Sequence, residues 1–203
     1  MASALLWGML ALAAAGPAPG DARLKEPEKP PKAVAVVRDL TVFQNSGDLY
    51  ASFSLDGAFV PRVLEKIRSG IQVTFTYRLE MLRKRTWWFD EVVVERKVET
   101  LVLHDPMSGR YELKRLVDGV ESASEVTEEE GRMRVWMTRI QRVPLVGRDR
   151  FPPEGRVVLR VRAKVFDDFV MLFIPWDYVS DWQKLFVRPD ALPLEAPPDS
   201  PGG

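Results

Sequence analysis

The chain has 203 residues, and its 29 lysines and arginines balance 29 aspartates and glutamates. That balance excludes the basic face of a nucleic-acid binder. With no cysteine, disulfides, thiolate metal sites and a cysteine nucleophile are excluded too. A hydrophobic content of 46% is enough to bury the core of one ordinary domain.

Residues 1–20 carry no charged side chain, and Ala4–Ala15 is nearly all apolar. Such a run, followed by Ala13-Ala14-Ala15 and then Gly16-Pro17, reads as a cleaved export signal. It is shorter than the roughly 20 residues a spanning helix needs. Because no Lys or Arg precedes the run, retention as a membrane anchor and burial as a helix of the domain are the alternatives. The expected compartment is the periplasm or the exterior, or the inner membrane facing the periplasm if the segment is retained. Residues 21–32 are rich in Pro and charge and read as a tether, and 189–203 as a disordered Pro-rich tail. The domain is expected over 33–188.

Ala33–Gln44 is rich in β-branched residues and predicts a strand, Asn45–Asp48 a turn, and Leu49–Leu55 a second strand of a hairpin. Phe59, Val60, Val63, Leu64 and Ile67 fall at helical spacing. Pro61 suits the first turn of that helix and Gly70 its end. Ile71, Val73, Phe75, Tyr77, Leu79 and Met81 alternate with Gln72, Thr74, Thr76, Arg78 and Glu80, which predicts a long strand with one dry and one wet face. Arg83-Lys84-Arg85 reads as a solvated hairpin turn. Trp87–Leu103 is the partner strand, and Tyr111–Val117 completes a meander after the Asp105–Gly109 turn.

Thr127-Glu128-Glu129-Glu130 matches a capping box. Val126, Met133, Trp136, Met137 and Ile140 then mark the dry face of a second helix ending before Pro144. Residues 145–155 are expected as a loop, 157–166 as a strand, and 177–187 as a short helix or a closing strand. The expected fold is one α+β domain, an antiparallel sheet of about six strands with two amphipathic helices.

The run Trp87-Trp88-Phe89-Asp90-Glu91 follows a Thr74-Phe75-Thr76-Tyr77-Arg78-Leu79-Glu80 strand and a basic turn. Tyr111-Glu112-Leu113, the strand Val157–Val165 and a closing Ser180-Asp181-Trp182 come later in the same order. In these features the chain resembles the bacterial family catalogued as domain of unknown function 4390. Phe166-Asp167-Asp168-Phe169 and Ile174-Pro175 replace the Leu-Asp-x-x-x-Leu-Pro-x-Pro run usual in that family. The resemblance implies an exported or membrane-tethered bacterial protein of unknown activity. Through the association of such genes with sensor-kinase genes, it also implies an accessory of signalling.

No motif points to catalysis. A Ser-His-Asp triad would need His104, which sits beside Asp105-Pro106 where turn chemistry accounts for it. One His and no Cys make a poor zinc set, so neither a metal nor a cofactor is expected. Asp90 and Glu91, like Asp167 and Asp168, are strand neighbours that face opposite sides. A carboxylate hydrolase would need two converging Asp or Glu side chains, for which an Asp90–Asp167 dyad across the sheet is a candidate, and salt bridges to Arg160 or Arg162 are the plainer expectation. Five tryptophans fall in the domain: Trp87, Trp88, Trp136, Trp176 and Trp182. Core packing accounts for most of them, but adjacent Trp87 and Trp88 cannot both face one side of a strand. Trp87, Trp88, Arg85 and Trp182 are therefore the candidate surface for an envelope protein or a hydrophobic ligand. A non-enzymatic binding module is the expected function. A membrane-anchored accessory of a sensor kinase and a carboxylate-dependent hydrolase are the alternatives.

Overall fold

A computed structural model describes residues 35–85, 89–147, 150–151, 156–170, 174–188 and 192, with only the backbone described for 166–170 and 174–178. The expected signal and tether lie outside these residues, as do Trp87 and Trp88. All described elements belong to one unit, Lys32–Gly203.

Strands β1 (Val36–Asn45) and β2 (Asp48–Asp56) form the expected hairpin. Ser46 and Gly47 both take positive φ, 50° and 90°, the backbone a tight two-residue hairpin requires. Helix α1 (Pro61–Arg68) buries Val63 and Ile67 one turn apart. Gly70 closes it at φ +74°, with the Gly70 and Ile71 N–H groups donating to Ile67 and Lys66 carbonyls. An added Cβ at Gly70 would lie 3.3 Å from the His104 carbonyl. Because Ile71 is tied into that cap, it stays exposed and the long strand starts later than the alternation suggests, as β3 (Val73–Lys84).

Strands β4 (Glu91–Asp105) and β5 (Arg110–Val117) continue the meander. A further strand, β6 (Val120–Thr127), pairs with β5 across Asp118-Gly119, both at positive φ. This strand was not expected, although an Asp-Gly pair between two runs is a hairpin signal. Helix α2 (Glu130–Thr138) is shorter than its apolar spacing implies. Val126 belongs to β6 and is exposed, and Ile140 is buried in β7 (Arg139–Gly147), a strand that includes Pro144. The capping box does not close. Thr127 Oγ1 accepts from the Glu129 N–H at 3.1 Å, while the Glu130 carboxylate turns to arginines. Strand β8 (Arg156–Val170) carries the expected alternation, β9 (Ile174–Val179) pairs with its far end, and β10 (Gln183–Val187) takes the closing-strand alternative.

The sheet count departs from expectation. Instead of one sheet of about six strands there are two antiparallel sheets. One has three strands in the order β1-β2-β7. The other has seven, in the order β10-β8-β3-β4-β5-β6 with β9 on β8. The hairpin β1-β2 finds its partner in β7, some 90 residues on, and not in the meander. The inward faces share one core. Leu49, Ala51 and Phe53 of the small sheet, Phe75, Tyr77, Leu79 and Met81 of the large one, and Met133 and Met137 of α2 are all buried there. Two layers covering each other are what an α+β chain of this size needs to bury its sheet faces.

Candidate functional site

The even-numbered residues of β3 point away from the shared core. Register places two rows side by side on this outer face. The first is Lys184, Arg160, Glu80 and Glu95, and the second is Phe186, Val158, Leu82 and Val92, each read across β10, β8, β3 and β4. The face is therefore not the simple wet side that alternation predicts. Glu80 is only 5% exposed. It is buried because both its oxygens are bound, one by Arg78 Nε at 2.9 Å and the other by Arg160 Nε at 2.7 Å. Trp182 lies against the same row, with the Arg160 and Arg162 guanidinium carbons 4.3 and 4.8 Å from its ring. The residues i and i+2 of β8 thus stack on one indole. Beside them the second row carries buried Val158 and Leu82 between exposed Phe186 (69%) and Val92 (55%).

Arg160 pairs with Glu80, so it is not the partner expected for Asp90. Asp90 pairs with Lys84 across the β3–β4 hairpin, and Arg85 pairs with Glu91, whose carboxyl the Arg85 guanidinium holds below its ordinary range. Arg83 shares Glu91 with Arg85, so two carboxylates offset two of the three cations of the basic turn, and beside it Phe89 is 95% exposed. Of the four candidate surface residues, only Arg85 and Trp182 are described. Trp182 is level with Arg78, next to Arg162, and Arg85 lies at the far end of β3. At about 3.3 Å per residue these positions are some 20 Å apart, so they do not form one site. Glu80, Arg162 and Phe186 join the site although they were not among its candidate residues. The signal for them in the sequence is the Arg160-x-Arg162-x-Lys164 alternation, which puts three cations on one face of β8.

The Asp90–Asp167 dyad does not assemble. Asp90 precedes Glu91, which pairs with Arg83, while Asp167 lies beyond Lys164, which pairs with Thr76. The seven-residue step along β3 from Thr76 to Arg83 spans about 23 Å. A closer carboxylate pair does exist. Glu80 and Glu95 each place an oxygen 2.9 Å from Arg78 Nε. Two carboxyls within about 6 Å match a retaining glycosidase, but a general acid there needs surroundings that disfavour its charge. Arg78 and Arg160 provide the opposite. Among the described residues no three His, Asp or Glu side chains converge as a metal site.

Two further polar clusters have structural accounts. At the end of α2 the chain turns directly into β7, so the last helical carbonyls lack helical donors. Tyr77 Oη donates to the Met137 carbonyl at 2.8 Å, Thr100 Oγ1 to the same oxygen at 3.2 Å, and Arg115 Nη2 to the Trp136 carbonyl at 2.6 Å. Burial pushes the Tyr77 phenol up and the Arg115 guanidinium down from their ordinary ranges. Between α1 and α2, Glu130 is bound by Arg134 and Arg68, and these two guanidiniums hold its carboxyl below the usual range. His104 belongs to the same region. Its Nδ1 lies 3.3 Å from the Arg68 carbonyl and its ring stacks on Tyr111 at 4.4 Å. No nucleophile is paired with it among the interactions described.

No curated protein and no solved structure shows significant similarity to the chain. A family model described as a domain of unknown function (DUF4390) matches residues 32–185, from the start of the folded unit into β10. This match covers well over half of the sequence, and the chain belongs to the DUF4390 family.

Proposed function

We propose that the protein is an exported bacterial envelope protein whose folded unit binds a partner and does not catalyse a reaction. The observation that carries this reading is the exposure of Phe186 and Val92 at the two ends of the apolar row on the sheet face turned away from the core, with Val158 and Leu82 buried between them. An apolar row rimmed by charge is the composition of an interaction surface. Trp182 with its two guanidiniums adds the aromatic and arginine chemistry that anchors such surfaces. The engagement of Glu80, Glu95 and Glu130 with arginines weighs against a carboxylate hydrolase. The apolar run at the N-terminus, read as an export signal, supports the envelope as the compartment, and a partner there would be a protein or a hydrophobic ligand.

The test places a photo-crosslinking residue at Phe186, at Val92 and, as a control, at exposed Val135 on α2. In cells, crosslinks at Phe186 and Val92 should exceed those at Val135. Equal yields at all three positions defeat the surface assignment. N-terminal sequencing of the exported form separates the soluble reading from the anchored accessory, with cleavage near Ala15 expected for the former.

A further inference from the structure

The two sheets each end on a strand with one unpaired edge, β1 on the small sheet and β10 on the large one, among the described residues. Between these edges runs a groove of about 290 Å³. Its walls are Leu40 and Val42 from β1 and Leu185 and Val187 from β10, which belong to or pack against the shared core, and exposed Phe186 lines it as well. The groove is thus a seam where the core reaches the surface between two edges that have not joined.

The tail contributes a side chain to this seam. Leu192 lines it and packs against the core, although it belongs to the Pro-rich segment after β10. Leu192 is followed by Pro193, Leu194, Glu195 and Ala196-Pro197-Pro198. Prolines lack the N–H that a ladder needs, so a segment of this composition cannot extend either sheet along its length. What it can offer an apolar seam is a leucine on an extended, low-entropy backbone, as in recognition of polyproline-type ligands. The family match ends at residue 185. Most of the walls therefore lie in the shared domain, whereas Leu192 lies outside it.

We propose that the β1–β10 seam is a binding groove for an extended, proline-flanked leucine segment, and that the chain's own tail is its resident, competing occupant through Leu192. The groove meets the outer face at Phe186, which lines both, and Leu192 is the residue that tests the groove alone.

A tail tethered four residues from β10 presents its leucine at an effective concentration on the order of millimolar. Releasing it should uncover the groove. The experiment uses full-length protein, wild type and Leu192→Asp, and a fluorescently labelled synthetic peptide of residues 189–203 read by polarisation. Leu192→Asp protein should bind the peptide about tenfold more tightly than wild type. The same peptide carrying Leu192→Asp should not bind. Equal affinity of the two proteins, equal binding of the two peptides, or no binding to the Leu192→Asp protein would each overturn the proposal. Unchanged circular dichroism of the Leu192→Asp protein makes the comparison valid, and Leu192→Ala replaces it if the spectrum changes. Trp182, Phe186 and Val92 are left untouched, so failure here does not bear on the outer-face reading.

Discussion

Tyr77→Phe should produce a stability difference that reverses sign with pH. Tyr77 is fully buried and donates to the Met137 carbonyl at 2.8 Å. That carbonyl keeps Thr100 Oγ1 when the phenol is removed. The acceptor is not orphaned, so the loss at neutral pH is that of one buried hydrogen bond, about 1 kcal/mol. At high pH a second effect opposes it. Burial raises the folded-state pKa of Tyr77, whereas the unfolded chain titrates near 10. A raised folded pKa means that the stabilisation is complete below the unfolded value and is lost as pH rises toward the folded one. Above about pH 10 the unfolded wild type releases a proton that the folded form retains, which lowers stability by about 1.4 kcal/mol per pH unit. Tyr77→Phe has no such proton. The two effects cancel near pH 10.7, about 1 kcal/mol of lost hydrogen bond against about 1.4 kcal/mol per unit of titration. Urea unfolding followed by tryptophan fluorescence between pH 7 and 11.5 measures the difference directly. Wild type should be the more stable below the crossing and the less stable above it. A difference that stays constant across the range would refute both the burial of the phenol and the linkage drawn from it.

Arg115→Met should destabilise by about 2 kcal/mol in thermal or urea unfolding, because it leaves the Trp136 carbonyl without its donor at the end of α2. Gly70→Ala should cost about 1–2 kcal/mol, since φ +74° is strained for alanine and the His104 carbonyl lies where its Cβ would go; a neutral Tm shift would contradict that geometry. Glu130→Gln should lose about 0.5–1 kcal/mol at neutral pH. The depressed carboxyl of Glu130 stabilises above its unfolded pKa and ceases to do so as pH falls through the folded one, so the gap between wild type and variant should narrow in urea titrations as pH falls below the ordinary carboxylate range. Trp182→Ala removes the stacking of Arg160 and Arg162 and should cost about 1 kcal/mol without unfolding the chain, read by its denaturant midpoint.

The local elements were legible because their signals are local. Period-two alternation announced β3 and β8, left-handed turn residues announced the β1–β2 hairpin, and Pro61 with Gly70 bracketed α1. The same kind of signal existed for β6 in Asp118-Gly119, but Glu121-Ser122-Ala123-Ser124 has no apolar alternation to mark a strand beyond the turn. It is a strand because β5 supplies its ladder. The end of α2 was not legible either. Met133, Met137 and Ile140 fit one helical face, and the helix stops after Thr138 because Tyr77, Thr100 and Arg115 offer donors to its last carbonyls from β3, β4 and β5.

By itself the sequence determined the secondary-structure class, the family and the absence of thiol chemistry, all of which depend on composition and short spacing. Only the tertiary structure decided that there are two sheets, since pairing β2 with β7 depends on which apolar faces meet across 90 residues of chain. It also decided the candidate site. Alternation assigns Glu80 to the wet face, and lateral neighbours on β3 and β8 are what bury it. Trp182 became part of an aromatic and cationic surface because β10 lies beside β8, a placement no local pattern encodes.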